Sequence, residues 1–451
     1  MSVAKYHTMK LRILYIILGI LVLLPSCMES EWDIEMDPQG TFGDNPGNRL
    51  ESIDKRKVML LYSAGYNDLQ TYLKEDIEDL LKGWAPGLSR NNDVLLVYSH
   101  LSKSRSDFKT PVEPVLFRVY ADNEGNTLTD TLIRYDSSTI SASAEQLNAV
   151  LTYVNETFPA RSYGMVFSSH ATGYLPAGYY SRPGEYVFTE DRANSHGTFL
   201  QHEPTSVPYT EREYGPDRPM VKSIGQSVHE GQSYEMDLRD FAEAIPMKLD
   251  YLLFDACLMG GIEVAYELTG KCDLLAFSQA EVLAEGLNYT TLAEHLLGNR
   301  QDADPESVCR DYFMQYDQKT GAYRSATISL VDCNRLGPLA DVCRDLFSRY
   351  RQQIGSINYN KVQQFYTGSH HWFYDLESIL SVAGISAEEL GALHDALDGC
   401  IIYKGHTPSF LGEFDINTFS GFSMYLPTRG SQQLDRYYRT LKWNEATGLV
   451  Q

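Results

Sequence analysis

The sequence lacks any Cys-x-x-Cys pair: its seven cysteines are scattered over 451 residues. That spacing excludes a tight structural zinc site and a small disulfide scaffold. Positive charge is also scarce, with 38 Lys and Arg against 60 Asp and Glu and a formal net charge of -22. Nucleic acid is therefore not an expected partner, and the acid excess suits either a basic partner or a well-solvated surface. No internal repeat is visible, and no loop has EF-hand spacing. His370 and His371 stand together without a third ligand at a suitable distance, so no metal and no cofactor is expected. What remains is a chain with 43% hydrophobic residues, enough for a sizeable globular core.

The longest apolar stretch, "ILYIILGILVLL" (Ile13 to Leu24), follows Lys10 and Arg12 and is too short to cross a bilayer comfortably. It reads as the core of an export signal. Ser26 followed by Cys27 resembles a bacterial lipobox, in which the chain is cut before a cysteine that then receives lipid; Pro25 is unusual there and keeps a plain secretory signal as the alternative. On the first reading, residues 1–27 are a lipoprotein signal, residues 28–54 a flexible acidic spacer, and the mature protein is anchored to the envelope or outer surface of a bacterium without spanning a membrane.

Short apolar runs then alternate with helical patterns. The runs are Val58 to Ala64, Val94 to His100, Val115 to Tyr120, Gly164 to His170, Tyr251 to Ala256 and Leu274 to Gln279. "LQTYLKEDIEDLLKGW" and "SAEQLNAVLTYVNET" carry the three-and-four spacing of helices. This is an α/β fold: an open, mostly parallel sheet flanked by helices, with chemistry expected at the carboxyl ends of its strands. The pattern predicts a main domain over residues 55–300, interrupted by an insertion at about 177–235 that is rich in Gly, Pro and Tyr. A further α/β region over 301–451 packs on it, and includes strands at "ATISLVD" and "SGFSMYLP".

Two reactive side chains fall at such strand ends. Cys257, in "FDACLMGG", precedes the helical pattern "LMGGIEVAYELTG", which places its sulfur near a helix amino terminus where backbone N–H groups favour a thiolate. Taken alone, a cysteine in apolar company is more often a small buried core thiol. His170, in "SSHATG", supplies a proton carrier at a second strand end, and the pair gives each residue a chemical reason.

"FDACLMGGIEVAYEL" resembles the nucleophile segment of the clostripain family of cysteine peptidases, relatives of caspases, legumains and gingipains. Supporting stretches are "VMLLYSAGYNDL", "SSHATGYLPAG", "KSIGQS", "EMDLRDFAEAIP", "FSQAEVLAEGLNY" and "GFSMYLP", so the resemblance runs from about Lys57 to Pro427. It implies a caspase-like fold with Cys257 as nucleophile and His170 as its dyad partner. It further implies an oxyanion hole from the backbone N–H groups of Cys257 and of Ala171, where the family usually has glycine. Alternation along the strand puts the side chain of Asp255 on the same side as that of Cys257. The resemblance makes it the acid of a pocket for Arg or Lys before the scissile bond, with Arg favoured by bidentate contact. Ser278 and Glu281, in the loop after the next strand, are candidate pocket walls. Relatives cut themselves in the insertion, which here offers Arg182, Arg192, Arg212, Arg218 and Lys222. Clostripain itself is stimulated by calcium; no motif here supplies a site, and the resemblance leaves a calcium requirement open.

The expected protein is thus a monomeric, exported, lipid-anchored cysteine endopeptidase acting on peptide or protein substrates. The competing expectation is a catalytically inactive surface lipoprotein of the same family that binds peptide or protein.

Overall fold

The computed structural model describes residues 55–87, 93–104, 107, 110–189, 227–229, 232–298, 302–368 and 371–451, with backbone alone for 227–229 and 232–233. Cys27, the signal, the spacer and the candidate cut sites Arg192, Arg212, Arg218 and Lys222 lie outside the described residues, as does His370. Among the described residues no helix is long and apolar enough to cross a membrane.

A nine-stranded sheet organises the chain. Its strands are β1 (Lys57–Gly65), β2 (Val94–Leu101), β3 (Val115–Ala121), β4 (Thr127–Arg134), β5 (Ser162–Ser168), β6 (Leu249–Asp255), β7 (Cys272–Phe277), β8 (Thr327–Asp332) and β9 (Ile401–His406). In space they run β9-β8-β7-β6-β5-β1-β2-β3-β4. The central five, β7-β6-β5-β1-β2, are parallel, while β3 and β4 at one edge and β8 and β9 at the other are antiparallel. The continuous apolar runs form the centre because both faces there are covered; all nine residues of β1 are buried.

Two strands escape the sequence pattern, each for a physical reason. In β4, "TLTDTLIR" is polar and largely exposed, so it carries no apolar run. β9 starts directly at the end of a helix (Ala387–Cys400) with no breaker between them, so its residues read as more helix. Of "SGFSMYLP", only Ser423–Met424 is strand, in a short ribbon with Tyr374–Asp375. The last third of the chain adds β8 and β9 to the same sheet that the first part begins.

Helices cover both faces. On one lie α1 (Gln70–Lys82) and α4 (Tyr289–Leu297), with Leu73, Ile77 and Leu80 of α1 turned inward. On the other are α2 (Ala144–Thr157), capped by the Ser143 side chain on the Gln146 N–H, and α3 (Leu238–Ala244). Phe241 of α3 meets Phe167 and Phe254 of the sheet at ring-centroid distances of 5.1 and 5.5 Å.

Candidate active site

Reading the spatial order against the chain order, the path goes from β1 outward to β2 and later returns on the other side of β1 as β5, then β6 and β7. The reversal between β1 and β5 is the crevice where such sheets bind ligands. Register fixes what meets there. Ser168 and Asp255 are paired neighbours at the ends of parallel β5 and β6, so the loops that carry His170 and Cys257, each two residues farther on, start from adjacent strand ends. Ser169 donates to the Ala64 carbonyl at 2.8 Å and ties the histidine loop to the end of β1. The two loops touch: Gly173 has φ +64°, and a Cβ there would stand 2.5 Å from the Leu258 carbonyl oxygen.

The histidine is only 7% exposed. Its Nε2 is 2.7 Å from Asp68 Oδ1, in the turn after β1, across the switch point. Its Nδ1 is buried and has no hydrogen-bond partner among the described residues. Asp68 was not among the sequence candidates, since an Asp in "GYNDL" reads as an ordinary turn residue. The usable signal was topological: an acid just past the carboxyl end of the central strand. Beside the imidazole is a crevice of about 60 Å³ walled by Ala142, Phe167, Met236, Phe241, Phe254 and Met259 among others.

The cysteine side differs from expectation at two points. β6 stops at Asp255 and the chain turns through Ala256 to Leu258, so strand alternation does not carry from Asp255 to Cys257. The following helix (Ile262–Glu267) begins five residues past Cys257, because Gly260 and Gly261 prolong the turn; the sulfur is not at its amino terminus. Backbone from the loop after β7 takes that place. Val282 N–H donates to Cys257 Sγ at 3.0 Å, the Val282 carbonyl lies 3.6 Å from the same sulfur, and Leu258 and Gly260 N–H groups bond Ala280 and Ser278 carbonyls at 2.9 and 2.7 Å. Cys257 is fully buried, and Leu258 holds a left-handed φ of 62°. Ala171 is not among the positive-φ residues, so alanine fits that position without the strain its replacement of glycine suggests.

The remaining candidates are covered too. Asp255 is fully buried and its Oδ2 accepts from Ser168 Oγ at 3.0 Å and Tyr289 Oη at 2.6 Å. Ser278 Oγ bonds Thr327 Oγ1 at 2.8 Å. Glu281, whose acid-rich loop reads as solvated, is 3% exposed and accepts from Thr367 Oγ1 at 3.1 Å. Residues of the last third clamp the site: Ser423 N–H bonds the Gly260 carbonyl at 2.8 Å, and Tyr174 Oη bonds the Trp372 carbonyl at 2.5 Å. On the helix after the nucleophile turn, Glu263 is fully buried. Its Oε1 accepts from Tyr425 N–H and Tyr438 Oη at 2.8 and 2.7 Å while Oε2 has no partner among the described residues, and burial pushes its pKa up to about 7. The insertion ends are tied by a 2.6 Å bond from Gly178 N–H to Glu235 Oε2, and Arg182 pairs on the surface with Glu185 at 3.4 Å. His371 bonds Tyr366 Oη at 2.6 Å. Among the described residues no group of three His, Cys, Asp or Glu is arranged to hold a metal ion.

The clostripain family profile matches residues 61–196 and 212–447. The chain belongs to the clostripain family. Clostripain-type folds in solved structures agree with the architecture. An inactive zymogen C11 protease from Parabacteroides distasonis is 24% identical and superposes with a TM-score of 0.66, covering 88% of this chain and 98% of that one. A secreted C11 cysteine protease from Bacteroides thetaiotaomicron is 21% identical with a TM-score of 0.65, covering 88% and 100%. A secreted C11 cysteine protease of the same organism, in complex with an irreversible peptide inhibitor, is 22% identical with a TM-score of 0.66 over 87% and 99%. No curated protein matches. The family is one of cysteine peptidases, and the mixed α/β sheet is that of its caspase-like members.

Proposed function

We propose that the protein is an exported, lipid-anchored cysteine endopeptidase that cleaves after Arg or Lys through Cys257 and His170. The observation that carries this reading is the imidazole: Asp68 occupies Nε2 while Nδ1, buried and unpartnered, is left for the thiol and the leaving amine. In the reaction the thiol proton passes to His170 and Cys257 sulfur bonds the scissile carbonyl carbon. The carbonyl electrons move onto oxygen, which the Cys257 and Ala171 N–H groups stabilise. Collapse breaks the C–N bond, and the amine leaves with the proton from His170. Water then attacks the thioester, the acid departs and the thiol is restored. Asp68 holds the ring in one orientation and tautomer and offsets its charge when protonated.

Asp255 and the 278–286 loop form the acidic pocket in this reading, and they serve a substrate only after that loop lifts from Cys257. The form described is accordingly a latent one. A second reading, a peptide-binding protein without catalysis, is favoured by the full burial of Cys257. The anchor rests on Ser26 and Cys27; Cys27→Ser should move the protein from the membrane fraction to the soluble one.

The deciding experiment uses protein lacking residues 1–27, before and after limited proteolysis, with fluorogenic peptides ending in Arg, Lys, Asp or Leu. Hydrolysis after Arg or Lys that disappears in Cys257→Ala is the expected result. No hydrolysis in either state, with Cys257 unreactive toward a peptidyl electrophile, overturns the peptidase in favour of the binding protein.

A further inference from the structure

The crevice beside His170 has a role that the dyad and the acidic pocket do not fill. Phe254 and Asp255 are successive residues of β6, so their side chains leave opposite faces of the sheet. Asp255 turns to α4 and Tyr289, whereas Phe254 turns to Phe241 of α3 and forms a wall of the crevice. The nucleophile turn lies between the two. An acidic pocket on the α4 face takes the residue before the scissile bond, so the chain after the bond passes over the α3 face. His170, which protonates the departing nitrogen in the reading above, is itself a wall of this crevice.

We propose that the crevice is the subsite for the first residue of the leaving chain and that it selects a small or branched aliphatic side chain. This rests on the proposed peptidase activity. The apolar part of the lining, Phe167, Phe241, Phe254, Met236, Met259 and Ala142, matches an aliphatic guest, with Ser169, His170 and Thr172 on the side of the histidine loop. The carboxylate in the wall, Glu235, accepts the Gly178 N–H at 2.6 Å and is 5% exposed, so it is engaged in joining the insertion ends. About 60 Å³ is open to the centres of water-sized spheres, enough for several waters and so for the branched end of a valine or leucine. Burying those methyl groups favours valine or leucine over glycine roughly 10- to 100-fold in kcat/KM.

The test uses internally quenched peptides with Arg before the bond and Gly, Ala, Val, Leu, Phe, Asp or Lys after it, on the protein lacking residues 1–27, with Ala142→Leu and Met259→Ala variants. Val and Leu should lead in the parent. Ala142→Leu, which fills the crevice, should move the optimum to Gly or Ala, and Met259→Ala, which enlarges it, should admit Phe. Inhibition by a peptidyl argininal aldehyde, which has no residue beyond the reacting carbon, should be unchanged in Ala142→Leu. Cleavage that depends on Cys257 but is indifferent to the residue after the bond, or a profile that Ala142→Leu leaves in place, overturns the subsite alone. Failure to cleave any of the peptides, with Cys257 unlabelled by a peptidyl electrophile, overturns the subsite and the peptidase reading together.

Discussion

The two halves of the candidate site are in opposite states. On the histidine side a ring nitrogen is held by Asp68, the other is unpartnered, and an apolar crevice opens beside it. On the cysteine side the sulfur is capped by Val282, Leu258 and Gly260 are bonded to the same loop, and Asp255 is sealed beneath Tyr289 and Ser168. On the proposed peptidase reading the acid–base half is preorganised and the nucleophile half is shut, which places control of the site in one loop, residues 278–286, without rearrangement of the sheet.

The largest effect expected from this contrast is on thiol chemistry. Alkylation of Cys257 by iodoacetamide in the folded protein should be at least about 100-fold slower than that of a free cysteine, since it waits for local opening. Labelling at the free-thiol rate, read by peptide mass spectrometry, would break the comparison.

Next comes Glu263. Its carboxyl ionises near 4.5 when unfolded and near 7 when folded, because burial disfavours the charge. The stability supplied by the neutral acid is complete below pH 4.5 and is lost as pH rises through 7, about 3 kcal/mol in all. Glu263→Gln should abolish that slope and raise Tm at pH 8; thermal unfolding at pH 5 and 8 measures it, and an unchanged slope would show that the acid is not buried neutral.

A somewhat smaller loss is expected from Asp68→Ala: about 100-fold in kcat with little change in KM, within the range of general acid–base terms. Nitrogen NMR of the imidazole should also show a changed tautomer distribution. An equal fall in both variants Asp68→Ala and Asp68→Asn, with the ring signals unmoved, would mark a merely structural role.

The smallest effects separate two glycines. Gly173→Ala meets a strained φ of +64° and the Leu258 carbonyl, and should cost about 2 kcal/mol together with activity. Gly125→Ala, at φ +87° in open space, should cost about 1 kcal/mol and leave activity intact. Denaturant melts paired with rates sharpen the comparison if only the first variant loses turnover.

Much of this was legible in the sequence where chemistry and pattern coincide. The central strands showed because both faces are apolar, and His170 and Cys257 stand out as candidates because they follow such strands. Asp68 did not, since its partner is 102 residues away and parallel topology alone brings them together. Glu281 read as solvated because Thr367, which buries it, is 86 residues downstream. The start of the helix after Cys257 was misplaced because "GG" extends a turn that the periodic residues beyond it conceal.

The bond from Ser423 to Gly260, and the two strands that the last third adds to the sheet, set an order of events during synthesis. A ribosome must pass residue 423 before the turn bearing Cys257 has its neighbours, so a truncated or still-emerging chain holds both reactive residues and no assembled site. On the proposed peptidase reading, completion of the polypeptide is itself a safeguard for the cell that makes it.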